Sequence, residues 1–167
     1  NSLEVLKFIL KNTQAAALAH LTCVGHSFLE TKALVNQFMD EGITDFLALR
    51  GDPQPGMPLE PKGELKSSSE LVQLISQVHK ERGNSRSGLN VAVATFPNGH
   101  PDSDSISQDI QALLAKQNAG ADYAITQVFF FAADYVRFVK LAKDAGVTIP
   151  ILPVIMPVTS MQRLNRV

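Results

Sequence analysis

The chain has 167 residues, 45% of them hydrophobic and 19% charged, with a formal net charge of −1. That size and balance describe one globular domain, residues 1–167, with a sizeable core, and exclude a disordered chain. Basic residues are scattered, no apolar run nears the roughly 20 residues of a spanning helix, and the one cysteine, Cys23, cannot form an internal disulfide framework. Nucleic-acid and membrane partners therefore have no support, and a reducing, cytoplasmic compartment is expected.

Residues 2–11 read as a helix ahead of a first strand at 18–24. An amphipathic helix over 29–41 follows, with Leu34, Val35, Phe38 and Met39 on one face. A strand at 45–50 runs into a long loop, 51–66, carrying four prolines and three glycines; long loops in compact domains are more often functional than idle. Next come a helix at 69–82, a solvent turn in "RGNSRSG", a strand at 90–96, a helix at 105–119, a strand at 123–131, a helix at 133–145 and a strand at 148–155. The final "SMQRLNRV" has helical character, and with Asn1 rather than Met at the start both ends read as cut from a longer protein. Ser27 with Glu30, Ser67 with Glu70, and Ser105 with Gln108 have capping-box spacing, while Gly42, Gly120 and Gly146 each end a helical run.

Such strict alternation predicts an α/β fold with a parallel sheet and right-handed crossovers. An open doubly wound sheet and part of a (β/α)8 TIM barrel both satisfy it. "CVGHSFLE" after the first strand is neither a dinucleotide fingerprint nor a phosphate loop, which weakens the first. Five strands cannot close the second, since a whole barrel takes about 250 residues. In both architectures chemistry sits at the carboxyl ends of the strands.

The strand ends carry the candidate residues. "FLALRGDPQPG" delivers Arg50, Gly51 and Asp52 at a strand exit, where glycine admits close approach to the backbone and Asp52 offers a fixed negative charge. A structural Arg–Asp pair closing the loop is the plainer reading. An integrin-type adhesion tripeptide does not suit a parallel βα repeat. "VAVATFPNGHP" places Phe96 and His100 at the next exit, an aromatic suited to a flat ring beside a polar ring on the same rim. Asp109 and Lys116 lie nearly two helical turns apart on one face, within reach of one long ligand, but a solvated face with ordinary charges is the stronger reading of these residues alone. Gln127 interrupts the apolar run "ADYAITQVFFF"; its amide must complete an internal hydrogen bond or meet a ligand. His20 by itself reads as a satisfied strand histidine. No metal site is expected, because an extended strand puts His20 and Cys23 on opposite faces, away from a ligand set with His26.

In combination, "HLTC" (20–23), "GITDFLALRGDPQPG" (42–56), "FPNGHP" (96–101), "NAGADYAITQVFF" (118–130) and "ILPVIMPV" (151–158) resemble the methylenetetrahydrofolate reductase family, in order and at matching spacing over essentially the whole chain. The resemblance implies a partial (β/α)8 barrel, about five βα units corresponding to strands three to seven. It implies an FAD-dependent oxidoreductase of one-carbon metabolism and methionine biosynthesis. That enzyme reduces 5,10-methylenetetrahydrofolate to 5-methyltetrahydrofolate with NADH or NADPH, and is a homo-oligomer when full length. It makes His20, Arg50, Gly51, Asp52, Phe96, His100, Asp109 and Lys116 flavin contacts. Asp52 and Gln127 become the catalytic pair that also meets the folate. Phe96 stands where many members have tyrosine, Ser67 and Ser68 where an aromatic–alanine pair is common, and Ala112 and Ala115 where polar or basic contacts often occur. The first, second and last strands, including a glutamate general acid on the first, have no counterpart here, so the resemblance implies that this chain is a poor catalyst alone. A pterin-binding barrel without flavin, such as a methyltransferase or pteroate synthase, and a non-catalytic barrel remnant are the competing readings.

Overall fold

The computed structural model of the protein describes residues 2–51 and 65–156. In chain order it contains α1 (Ser2–Asn12), β1 (Leu18–Thr22), α2 (Phe28–Asp40), β2 (Asp45–Leu49), α3 (Ser68–Glu81), β3 (Asn90–Thr95), α4 (Ile106–Asn118), β4 (Tyr123–Thr126), α5 (Ala132–Asp144) and β5 (Ile151–Leu152). All strand pairs are parallel, and the sheet order is β1-β2-β3-β4-β5. That sequential order separates the two architectures left open above. A doubly wound sheet reverses its strand order at a switch point, whereas a barrel adds each strand beside the last.

The helices pack on one face of the sheet. Val35 and Phe38 of α2, Leu71 and Ile75 of α3, Leu113 of α4 and Phe138 of α5 are fully buried against Phe46, Ala48, Val91 and Val93. Phe38 meets Phe46 edge to face at 6.3 Å, the arrangement that aromatic quadrupoles favour. The other face follows from the register, which sets His20 beside Leu47, Leu47 beside Ala92 and Ala92 beside Tyr123. One layer further along, Thr22 pairs with Leu49, and Ala94 pairs with Ile125. This face carries the side chains that would point into a barrel.

Strand lengths depart from the periodicity in an instructive way. β4 ends at Thr126 rather than 131 because its partner β3 turns away at Phe96-Pro97; the last bond across the pair is Gln127 N–H to the Thr95 carbonyl, 2.7 Å. β5 shrinks to two residues because Pro150 and Pro153 flank it and lack the N–H a ladder needs. The Gln117 side-chain oxygen takes the N–H groups of Thr148 and Ile149 in place of a strand partner. The capping box at Ser27 and Glu30 is reciprocal. In α3 and α4 only half of it forms, since Glu70 and Gln108 reach back one residue further, to the N–H groups of Lys66 and Asp104. The turn at 82–88 is exposed but tied down: Arg82 donates to Asp40 and Asn36, and Arg86 to Asp122. No described helix is long and apolar enough to cross a membrane.

Candidate functional site

A cavity of about 830 Å³ opens at the carboxyl ends of β2, β3 and β4, within the range of small-molecule and cofactor sites. Its floor is apolar, with Leu47, Leu49, Ala94 and Ile125; its rim is polar. Of the residues singled out above, Arg50, Gly51, Phe96, His100, Asp109, Lys116 and Gln127 all line it. His20 does not: it is exposed on the same sheet face, one strand away, beside Leu47. Asp52 lies outside the described residues.

The β2 exit is held by the main chain. The Arg50 carbonyl accepts from the N–H groups of Cys23 and Val24, each at 3.1 Å, so β1 fixes where Arg50 leaves the sheet. Gly51 then takes φ +81°, and a Cβ there would come within 2.9 Å of the Thr22 Cβ. Glycine is required here by the neighbouring strand as well as by the turn. The Arg50 guanidinium pairs with the Asp102 carboxylate at 2.8 Å. Its acidic partner among the described residues is therefore on the next loop.

The β3 exit carries two rings. Phe96 and His100 meet edge to face with centroids 4.5 Å apart. The Asp102 N–H donates to His100 Nδ1 at 3.0 Å, so the neutral imidazole carries its proton on Nε2. Asp109 pins the loop from α4. Its two oxygens accept from the His100 N–H at 3.2 Å and the Ser103 hydroxyl at 2.8 Å, and its side chain is buried.

Lys116, two turns along α4, donates to the Ala94 carbonyl at 2.8 Å. Burial holds its pKa below the ordinary lysine value; Asp109 opposes that shift and Arg50 adds to it. Neither Asp109 nor Lys116 belongs to a solvated face. Gln127 is exposed at the mouth, and its side-chain oxygen accepts from the Val128 N–H at 3.0 Å. The internal hydrogen bond raised by its sequence is present, and the residue lines the cavity although it is exposed rather than buried.

Asp102, Ser103, Ser69 and Gln108 also line the cavity. Sequence reasoning named only Gln108 among them, as a cap partner, and the one available signal for the others was an aspartate two residues after His100. Among the described residues, no three His, Cys, Asp or Glu side chains gather as a metal set. Cys23 is buried, with its sulfur 3.3 Å from both the Leu49 and the Ser67 carbonyl oxygens, so its single S–H has two alternative acceptors.

Five parallel strands in sequential order, joined by helical crossovers and with a cavity at their carboxyl ends, define a (β/α)8-barrel type of protein. Solved structures agree on the fold. Phosphonopyruvate hydrolase superposes with a TM-score of 0.65 at 12% identity over 91% of this chain and 50% of that one. For 2,3-dimethylmalate lyase, a PEP mutase/isocitrate lyase superfamily member, the values are 0.61, 13%, 99% and 56%.

Sequence narrows the class further. The family profile of methylenetetrahydrofolate reductase matches residues 1–167, and the chain belongs to that family. It is 33% identical over 163 residues to 5,10-methylenetetrahydrofolate reductase of Escherichia coli, covering 98% of this chain and 51% of that protein. It is 35% identical over 150 residues to a probable methylenetetrahydrofolate reductase (NADPH) of Caenorhabditis elegans, covering 90% of this chain and 22% of that protein. The chain thus spans about half the length of the bacterial relative, and less of the nematode one.

Proposed function

We propose that residues 1–167 are the central part of the flavin-binding barrel of a cytoplasmic 5,10-methylenetetrahydrofolate reductase that draws its hydride from NADPH or NADH. The observation that carries this reading is the convergence of Arg50, Phe96, His100, Asp109, Lys116 and Gln127, from three strand exits and one helix, on a single cavity.

The cavity suits a ligand with a flat ring and an anionic tail. Leu47, Leu49, Ala94 and Ile125 offer an apolar bed, Phe96 an aromatic edge, and Arg50 and Lys116 two cations. FAD, when bound, supplies a relay that accepts a hydride from the nicotinamide and passes it to the folate methylene carbon. In this reading Arg50 and Lys116 neutralise the diphosphate. His100 offers its Nε2 proton as a donor. Asp109 keeps the loop 100–103 in place, and Gln127 presents its NH₂ to the pterin. Asp52 contributes a negative charge that stabilises the cationic form of the folate as it accepts hydride. His20 belongs to the flavin-facing set through its position on the inner sheet face.

Flavin titration tests the reading, followed by nicotinamide-driven bleaching in the full-length protein under anaerobic conditions. FAD binding to the protein, bleaching by NADPH or NADH, and recolouring on addition of methylenetetrahydrofolate are the expected results. Pterin binding without flavin binding would instead identify a flavin-free pterin barrel, and binding of neither a barrel remnant. Within the full-length enzyme, Asp52→Asn is expected to retain flavin while slowing folate reduction. Gln127→Ala is expected to raise the folate KM more than the flavin Kd; normal folate turnover in the first, or the opposite ordering in the second, defeats the assigned role.

A further inference from the structure

The ion pair between Arg50 and Asp102 ties the exit of one strand to the turn after the next. Arg50 stands at the exit of β2 and Asp102 in the turn between β3 and α4, and both line the cavity. The turn is rigid for independent reasons. Asp109 accepts from the His100 N–H and the Ser103 hydroxyl, the Ser103 N–H donates to the His100 carbonyl at 2.9 Å, and the Asp102 N–H donates to the imidazole. Asp102 is thus presented from a fixed platform. Asp109, the buried carboxylate of the same cavity, is already occupied by its two donors.

The side chains of Arg50 and Asp102 are 45% and 65% exposed, and a pair that open to water contributes little to folding. Its geometry matters elsewhere. One nitrogen of the guanidinium, Nη2, faces Asp102, and among the described residues the rest of the fork remains for a ligand. The arginine is long and rotamer-rich, and ordering it on ligand binding is costly unless something has ordered it beforehand.

We propose that Asp102 is a positioning residue: it holds the Arg50 guanidinium at the cavity mouth, preorganised for an anionic group of the ligand. The inference rests on the flavin reading for the identity of that ligand, but not for the ordering of Arg50 itself. Repulsion between Asp102 and an anion works in the opposite direction. Because the carboxylate is mostly solvated, that repulsion is screened at physiological salt, and preorganisation is the larger effect.

The test measures two things on the full-length protein at about 0.15 M salt. The first is FAD affinity by flavin fluorescence. Asp102→Ala and Asp102→Asn should weaken it about threefold to tenfold, the range that immobilising one rotamer-rich side chain is worth. Asp102→Glu should restore it, and Asp102→Ala should have no further effect in an Arg50→Ala background. The second is the order of the Arg50 Nε–H vector by NMR relaxation without ligand, which needs no flavin. It should fall to the level of a free surface arginine in Asp102→Ala and recover in Asp102→Glu. Unchanged or tighter FAD binding in Asp102→Ala overturns the proposal, as does an equally ordered Arg50 vector. If the wild-type full-length protein binds no FAD, the flavin reading fails by itself, and the relaxation measurement still decides the role of Asp102.

Discussion

At the amino-terminal rim of the sheet, Arg86 donates to the carbonyls of Leu89 and Gly120 and to the Asp122 carboxylate, which in turn accepts from the Val91 N–H. At the carboxyl-terminal rim, Arg50 has one carboxylate contact among the described residues, and Lys116 one carbonyl. Arg86 thus engages three of its five donors, and Arg50 one among the described residues. The amino-terminal rim joins the segment 86–91 to the start of β4. Among the described residues, the carboxyl-terminal rim leaves more of its donors for a ligand, as a binding site must.

Three substitutions would break or sharpen that contrast. Gly51→Ala should have the largest effect, about 2–4 kcal/mol of lost stability, from the left-handed backbone and the contact with Thr22 together. It should also disturb the Arg50 exit, so urea unfolding and flavin titration should both register it. Arg86→Ala should cost about 1–2 kcal/mol by urea unfolding, kept modest because the side chain is 43% exposed. Flavin affinity should be untouched; a loss there would mean that the rims are not separable. Lys116→Met is the subtlest for folding, with stability unchanged or higher by up to about 1 kcal/mol, since an ammonium held out of water is replaced by an apolar chain of similar length. Affinity for a diphosphate ligand should nevertheless drop about tenfold or more. The lysine pKa is depressed on folding. Between the folded value and that of the unfolded chain, the unfolded state therefore binds more protons and stability rises with pH. Wild type should gain on Lys116→Met in thermal scans as pH climbs toward 10.5.

The helices and their starts were legible because periodicity and caps are local: Ser27, Ser67 and Ser105 each accept the N–H three residues on. Strand ends were less so, because a strand stops where its partner stops. Nothing in "AITQVFFF" announces that β3 has already turned at Pro97. The cavity residues were found where they interrupt an apolar run or close a strand. Asp109 and Lys116 looked solvated because their burial depends on a loop folding over α4 and on the neighbouring strand offering the Ala94 carbonyl. Asp102 was passed over for the same reason, as its partner lies 52 positions earlier.

The cavity floor is drawn mainly from β2 and β3, which like β4 have a neighbour on each side and which have α3 and α4 packed behind them. Their amides should exchange with solvent more slowly than those of β1 and β5, which have one described partner each. Local openings at the sheet margins would then leave the ligand bed intact, so it should be among the last parts of the molecule to dissolve on unfolding.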